Sequence, residues 1–309
     1  MTDIIDYKTS FATWAPLFFK HYLPNVYKAY NSFRIGRSKF EPVTKNLMEV
    51  DEDTEILRRS YLVKFVNIDS VKLSKLLTIA RSHNVKLTSL LSVINLLAIS
   101  PITKEHTIDV GIPVNVRSVI DHESAQSHCN SFSDKFGVYI GMIMINFNPL
   151  QKLTDTKNND EDTQLELDWE LVNFIQDNLT KRAPSSHKIF GMLNVVNVEQ
   201  IMKSMLHGAR RHTFAISNLG TLTHEESSGI QKSNDNSQNE PGQRNVEILD
   251  MKFSQPLGQG DYMFCCNVIG TPKGGVNLSF VCAKSLGDEV FETYVNGFER
   301  WVDHVIESS

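Results

Sequence analysis

The spacing of apolar positions predicts helices and strands in alternation along most of the chain. Large apolar residues recur at helical spacing within residues 11–30. The run 61–68 is rich in β-branched and aromatic residues and predicts a strand. A helix with one apolar stripe is predicted over 71–83, with Asp69 or Ser70 as its N-cap.

The following helix is apolar on nearly all of its sides. It begins near Thr88 and continues to about Ile99, before Pro101. A helix without a polar face is typically buried, and this one is too short to span a bilayer, which needs about 20 residues. We therefore expect it in the core of the protein.

The middle of the chain predicts two strands, two helices and another strand. Pro113 has no amide hydrogen for a sheet hydrogen bond, so the first of these strands is predicted to have an edge, a bulge or a strand end there. The five elements are, in order, a strand over 107–116, a strand over 138–147, a helix from Trp169, a helix around 198–207 and a strand over 212–218.

The last third of the chain predicts a β-rich region and a closing helix. Residues 224–245 have almost no apolar content and predict a disordered surface insertion. The helix starts at Gly287 and packs on the body of the protein. Three strand candidates precede it, namely 246–253, 261–269 and 275–282. Together these elements predict an α/β fold with a mixed sheet.

The composition is that of a globular protein. The 309 residues are 41% hydrophobic and carry a net charge of −5, so no global basic field favours nucleic acid. The four cysteines form no CxxC pair, and the adjacent Cys265 and Cys266 would face opposite sides of a strand, so no metal site is predicted. With an acidic start to the chain, they indicate a reducing, cytosolic compartment.

Three short patterns suggest chemistry, but each has a simpler structural explanation. His106 and Asp109 would lie on opposite faces of a strand and would not pair. Arg210 and Arg211 match a phosphate such as that of coenzyme A, yet a solvated helix end explains them better. The glycines in 258–260 do not form a P-loop or a dinucleotide-binding motif.

Two longer motifs resemble those of a known family. The segment Ile112-Pro-Val-Asn-Val-Arg117 is similar to the PVNxR strand of alcohol acetyltransferases. Ile216-Ser-Asn-Leu-Gly220 is similar to the SNxG strand of the same chloramphenicol-acetyltransferase-like superfamily, which includes condensation domains. Weaker similarities follow in order at Phe253-Ser-Gln255, Gly274-Gly275 and Leu278-Ser279. The chain thus resembles a fungal alcohol acetyltransferase over most of residues 10–306.

The resemblance implies a CoA-dependent acyltransferase fold of two similar halves with a channel between them. This chain would have the C-terminal half and part of the N-terminal half, with 1–55 as a bridging segment and 56–309 as the C-terminal subdomain. Acetyl-CoA would be the co-substrate, with no bound cofactor or metal, and a small alcohol or amine the acceptor. A place at the endoplasmic reticulum or lipid-droplet surface stays open beside the cytosol.

The resemblance also implies roles for six residues. It places three of them along the channel, near the reacting carbonyl or the CoA arm, and these are Ser217, Asn218 and Ser254. It gives three others a structural role in the motifs, and these are Asn115, Arg117 and Gly220. Stabilisation of an oxyanion by Ser217 or Asn218 is one open role, and a purely structural place in the sheet is the alternative.

The family's catalytic motif, HxxxDG, is missing from this sequence. Its histidine acts as a general base on the acceptor, because the pKa of histidine lies near the working pH. None of the ten histidines here is followed by Asp four residues later. Because residues 11–30 resemble the segment after HxxxDG, we expect Met1 to lie downstream of the motif and most of the first half to be missing.

Three functions therefore stay open from the sequence. The first is acetyl transfer from acetyl-CoA to an alcohol, which gives an acetate ester. The second is acetyl transfer to a sphingoid-like amine, and the third is a non-catalytic relic or binding module. If a half is missing, one channel wall would be exposed and would present a larger apolar patch than a monomer normally has.

Overall fold

A computed structural model gives the structure of the protein. It describes residue 23 and the ranges 61–102, 108–119, 139–147, 167–194, 212–221, 248–256 and 262–308. Four predictions lie outside the described residues, namely the helices over 11–30 and around 198–207, the insertion at 224–245 and the bridging segment 1–55.

The described residues form six strands, four α-helices and three 3₁₀ segments. The strands are β1 (Tyr61–Ile68), β2 (Ile108–Asn115), β3 (Ile140–Phe147), β4 (His212–Thr221), β5 (Tyr262–Gly270) and β6 (Val276–Ala283). The helices are α1 (Ser70–Ser82), α2 (Leu87–Ile99), α3 (Trp169–Arg182) and α4 (Asp288–Glu307). The 3₁₀ segments are Arg117–Val119, Ala183–Asn194 and Lys284–Leu286.

All six strands belong to one sheet with the order β1-β6-β5-β4-β2-β3. β4 runs parallel to both of its neighbours, β2 and β5, and the other three pairs are antiparallel. The predicted α/β class with a mixed sheet is therefore confirmed.

Side chains fix the start of two helices. Asp69 caps α1, and its carboxylate accepts hydrogen bonds from the amides of Val71 and Lys72, both at 2.8 Å. Asp168 caps α3 in the same way, at 3.0 Å from the amide of Leu171. Such bonds satisfy amides that the first turn of a helix leaves without partners. Of the two caps that the sequence allowed for α1, the structure uses Asp69.

Helix α2 is buried, as its apolar pattern predicted. Every residue from Ser89 to Ile99 is buried, and the helix packs against the sheet and against α4. Its polar side chains are bonded locally. The Ser92 hydroxyl donates to the carbonyl of Thr88 at 2.7 Å, and the Asn95 amide donates to the carbonyl of Leu91 at 2.7 Å.

One hydrogen bond joins α2 to α4 inside this apolar core. The fully buried Tyr294 donates its hydroxyl to Asn95 Oδ1 at 2.5 Å. Its ring lies edge-on to Phe264 and Phe280, with centroids 5.1 and 5.2 Å away. Burial raises the pKa of Tyr294 well above its ordinary value, so the phenol stays protonated and remains a donor.

Alternate residues of the strands face two different environments. Phe264, Cys266 and other residues of one face belong to the main core under the helices. On the opposite face, a small separate cluster contains Ala215, Cys265 and Val281. The strand register pairs Ala215 with Cys265 and Cys265 with Val281, so these three side chains share that face. We call it the open face, because the described α-helices pack on the other one.

Pro113 lies where β2 has only one paired neighbour. The parallel pairing of β2 with β4 joins Val110 to Phe214 and Gly111 to Ala215, and no described pair follows it. Pro113 pairs with Met142 on the other side. β2 is therefore an interior strand at its start and an edge at Pro113, where a missing amide hydrogen is tolerated.

The predicted strand over 246–253 is wrong in its described part, because residues 248–256 are not in a strand. The nearby β6 already has β1 and β5 as neighbours, so it offers no free edge. The segment is instead bound by a side chain. The Asn277 amide donates to Asp250 Oδ1 at 2.6 Å and to the carbonyl of Met251 at 2.7 Å.

We expect Tyr294→Phe to lower the free energy of unfolding by about 1–3 kcal/mol, because it leaves Asn95 Oδ1 buried without this donor. Urea denaturation followed by circular dichroism measures the loss. As a control, Tyr294→Phe combined with Asn95→Leu removes both partners and should be more stable than Tyr294→Phe alone. Equal stability of Tyr294→Phe and the wild type would contradict the role of this bond.

Candidate functional site

The two polar residues of the SNxG motif are consecutive in β4, and their side chains point to opposite faces of the sheet. Neighbouring strand residues alternate between the faces. Ser217 pairs in register with Asn267, and Asn218 pairs with Val268, which belongs to the main core. Ser217 is therefore on the open face, whereas Asn218 is on the helix-covered face.

Asn218 connects the end of β4 to the first turn of α2. Its side-chain amide donates to the Thr88 hydroxyl at 3.0 Å, and its Oδ1 accepts from the Gly220 amide at 2.8 Å. Gly220 has φ = 76°, in the left-handed region that favours glycine. The two residues shape the strand end, and Asn218 does not share a face with Ser217.

The Ser217 hydroxyl is close to buried and has no hydrogen-bond partner within the part of the chain that the structure describes. The residue is 7% exposed, and the oxygen keeps some accessible surface. A polar group from solvent or a ligand can therefore reach this hydroxyl.

Beside Ser217, two more polar residues continue across the open face. Asn267 on β5 and Ser279 on β6 are paired in register, and the Asn267 amide donates to Ser279 Oγ at 3.0 Å. The Cys265 thiol donates to Asn267 Oδ1 at 3.6 Å. We call Ser217, Asn267 and Ser279 the polar row. Asn267 is 0% exposed and Ser279 is 1% exposed, so only Ser217 reaches accessible space.

No role for Asn267 is predicted from the sequence. The sequence feature that could have pointed to Asn267 is its position as a single side-chain amide inside the apolar strand Tyr262–Gly270. Burying an amide there without a hydrogen-bond partner is costly. Ser279 was noted only as part of the family resemblance. Their hydrogen bond depends on the register of β5 against β6, which a single sequence does not give.

The open face continues to β1 with apolar side chains. Val63 and Phe65 are each 46% exposed and pair in register with Val281 and Ser279. Lys252 lies with its ammonium nitrogen 5.9 Å from the centre of the Phe65 ring. The size of the apolar patch predicted for a missing half stays a prediction.

Asn277 lies two residues before Ser279 on β6, toward one end of this face. Asn277 accepts a hydrogen bond at 2.7 Å from the amide of Asn67, on the neighbouring β1, while it binds the segment that contains Asp250. Ser254 belongs to the same segment, 248–256, and is exposed. The predicted place of Ser254 along a channel stays a prediction.

Asn115 and Arg117 form a local cluster at the end of β2. The Arg117 amide and guanidinium both donate to Asn115 Oδ1, at 3.0 and 3.3 Å. The guanidinium carbon lies 5.0 Å from the centre of the Tyr139 ring, close enough for a cation–π contact. These contacts agree with a structural role for both residues, which stays a prediction.

Two kinds of reactive group were sought among the described residues, a metal cluster and an ionised thiol. They contain no group of three or more His, Cys, Asp or Glu side chains that could hold a metal ion. Burial raises the pKa of the Cys266 thiol well above its ordinary value, so the thiol stays protonated. No helix in the described ranges is long and apolar enough to cross a membrane.

Comparison with protein families shows to which family the chain belongs. The model of the alcohol acetyltransferase family matches residues 1–298. The chain belongs to the alcohol acetyltransferase family. No curated protein matches the sequence.

Two solved structures show that this family member has a condensation-domain-like acyltransferase fold. A trichothecene 15-O-acetyltransferase from Fusarium sporotrichioides is 11% identical with a TM-score of 0.55, and the match covers 79% of this chain and 47% of that one. The cyclization–docking bidomain of the EpoB nonribosomal peptide synthetase from Sorangium cellulosum is 9% identical with a TM-score of 0.51, covering 83% and 44%. The chain spans about half the length of these structures.

We expect the neighbours Ser217 and Asn218 to differ sharply in their effect on stability. Asn218→Ala breaks bonds to Thr88 and Gly220 and should lower the free energy of unfolding by about 1–2 kcal/mol. Ser217→Ala removes a hydroxyl without a partner and should change it by less than about 0.5 kcal/mol. Urea denaturation of the two variants beside the wild type measures both. An equal loss in both variants would contradict the assignment of faces.

Proposed function

We propose that this alcohol acetyltransferase family member forms one wall of an acyl-transfer channel. The wall binds acetyl-CoA, and the acetyl group is then transferred from the CoA sulfur to an alcohol. The observation that carries the proposal is the unbonded, nearly buried hydroxyl of Ser217. It lies in the SNxG motif that the family resemblance associates with the channel. The family match over residues 1–298 supports acetyl-CoA as the donor.

In the proposed reaction, the acceptor oxygen attacks the acetyl carbonyl of acetyl-CoA. The carbonyl oxygen gains negative charge in the tetrahedral intermediate, and the C–S bond then breaks to release the CoA thiolate. The proton lost by the alcohol passes through a general base to the leaving sulfur. Ser217 would donate a hydrogen bond to the carbonyl oxygen, and this bond strengthens as the charge develops.

The general base is not part of the polar row. Its members are serine and asparagine side chains, which do not take a proton at neutral pH. In the family resemblance this base is the histidine of HxxxDG, a motif absent from these 309 residues. The proposal therefore assigns the polar row to binding and charge stabilisation, and assigns proton transfer to an HxxxDG segment.

The absence of HxxxDG favours a second candidate function, a non-catalytic module that keeps only affinity for acyl-CoA. An amine acceptor of the sphingoid type is a variant of the first proposal, since the same carbonyl chemistry serves both. A cytosolic location, with or without contact to the endoplasmic reticulum or lipid droplets, is proposed from the cysteine usage and the resemblance.

We expect Ser217→Ala to weaken binding of acetyl-CoA by about 2- to 10-fold, the loss of one hydrogen bond. Isothermal titration calorimetry of the 309-residue chain measures the dissociation constant. Ser74→Ala, the same substitution at an exposed position of α1, serves as the matched control and should bind like the wild type. Unchanged binding in Ser217→Ala, or none in the wild type, would contradict the proposal.

A transfer assay separates the enzyme from the binding module. We expect the chain alone to leave medium-chain alcohols and sphingoid bases unacetylated. Fusion of an HxxxDG-containing first half of a family member ahead of Met1 should produce acetate esters. In that fusion, Ser217→Ala should lower kcat by about 100- to 1,000-fold, as is typical when one oxyanion donor is removed. Transfer by the unfused chain would contradict the assignment of the base to HxxxDG.

A further inference from the structure

The side chain of Tyr262 crosses the open face from β5 to β2. Tyr262 pairs in register with His212 at the start of β4. A Cβ atom on Gly111 of β2 would overlap the Tyr262 hydroxyl. Gly111 pairs with Ala215 of β4, which belongs to the open face. The ring of Tyr262 therefore lies over β4 and ends above Gly111, where the glycine leaves room for it.

Two methionine side chains border the end of the ring. The Tyr262 hydroxyl oxygen lies 3.3 Å from Met144 Sδ and 3.9 Å from Met142 Sδ, and a thioether sulfur is a weak hydrogen-bond acceptor. Met144 pairs with Gly111 in register, so it shares the open face. Methionine side chains are apolar and adapt their shape to what they contact. The space that the ring fills is thus lined by apolar, adjustable groups.

The ring also borders the buried apolar cluster beside Ser217. Tyr262 packs against the cluster of Ala215, Cys265 and Val281, whose members are at most 6% exposed. Ala215 comes two residues before Ser217 on the same face, which separates them by about 6.6 Å along the strand. A group that extends from Ser217 toward Ala215 therefore approaches the ring of Tyr262.

The acyl chain of a thioester suits this direction. When the carbonyl oxygen accepts from Ser217, the carbonyl carbon still carries two substituents, the CoA sulfur and the acyl chain. CoA bears charged phosphates that must stay in contact with water, and the acceptor oxygen must also approach from accessible space. The acyl chain is apolar, so burial against the apolar cluster stabilises it.

We propose that Tyr262 limits the length of the acyl group that this protein accepts from acyl-CoA, because its ring fills the space above Gly111 between Met142 and Met144. This inference rests on the proposed function, in which Ser217 binds the acyl carbonyl. An acetyl group ends before it reaches the ring, whereas a longer chain collides with it. Tyr262 is thus a specificity-determining residue for the donor.

Removal of the ring should let a longer acyl chain bind. Each CH₂ group that is buried strengthens binding by a factor of about 4. Tyr262→Ala should bind hexanoyl-CoA about 10- to 100-fold more tightly than the wild type does, whereas its dissociation constant for acetyl-CoA should change by less than about 3-fold. Isothermal titration calorimetry of the 309-residue chain measures both. A wild type that already binds hexanoyl-CoA more tightly than acetyl-CoA would overturn the proposal.

Tyr61→Ala is the matched control. Tyr61 packs against the same cluster as Tyr262, but from β1, where it pairs with Ala283. Its removal should leave the ratio of hexanoyl-CoA to acetyl-CoA affinity as it is in the wild type. An equal gain for hexanoyl-CoA in both alanine variants would show that any loosening of the cluster admits the longer chain. The role assigned to Tyr262 would then be wrong.

Tyr262→Leu keeps the experiment decisive if Tyr262→Ala does not fold. Its side chain is too short to reach the two methionines, so we expect a smaller gain for hexanoyl-CoA in the same direction. Thermal melting followed by circular dichroism shows whether each variant is folded. If the wild type binds acetyl-CoA but no folded variant gains affinity for hexanoyl-CoA, this inference fails while the proposed function stands. If the wild type binds neither thioester, both fail.

Discussion

The burial of the apolar helix α2 against one face of the sheet is the constraint on which the rest of the described structure depends. Its residues from Ser89 to Ile99 have no access to solvent beyond traces, and α4 packs over them. At about 25 cal/mol per Å² of apolar surface, this burial is the main favourable term of the fold. The bond from Tyr294 to Asn95 then fixes how α4 sits on α2.

The same helix determines which way the site faces. Thr88, in its first turn, receives the hydrogen bond of Asn218, so that side chain is fixed on the helix side of the sheet. Because strand residues alternate between faces, Ser217 must then lie on the open face. A shift of β4 by one residue would exchange the two and turn the hydroxyl into the core. The packing of α2 on the sheet therefore also determines which face of the sheet carries Ser217.

Much of the fold could be predicted because the pattern is local. The all-apolar run of α2, the strand over 61–68 and the closing helix can each be recognised within a few residues, and the structure confirms all three elements. The strand predicted over 246–253 failed for a reason that is not local. Its residues suit a strand, but β6, to which the segment is bonded, is already paired with β1 and β5 on its two sides.

The candidate site was predictable only in part, because its residues are far apart in the sequence. Ser217 could be named from its motif, but its neighbours Asn267 and Ser279 are far away in sequence. Nothing in a single sequence states that these three are neighbours across β4, β5 and β6. The register that brings them together follows from the packing of the whole sheet.

The polar row separates the residue that we propose to bind the ligand from the two residues that stabilise the sheet. The Ser217 oxygen keeps some accessible surface, so its lack of a partner in the described residues has little effect on the stability of the fold, whereas the fully buried Asn267 and Ser279 bond to each other. A carbonyl oxygen that accepts from Ser217 would therefore gain a hydrogen bond without breaking one inside the described part of the protein.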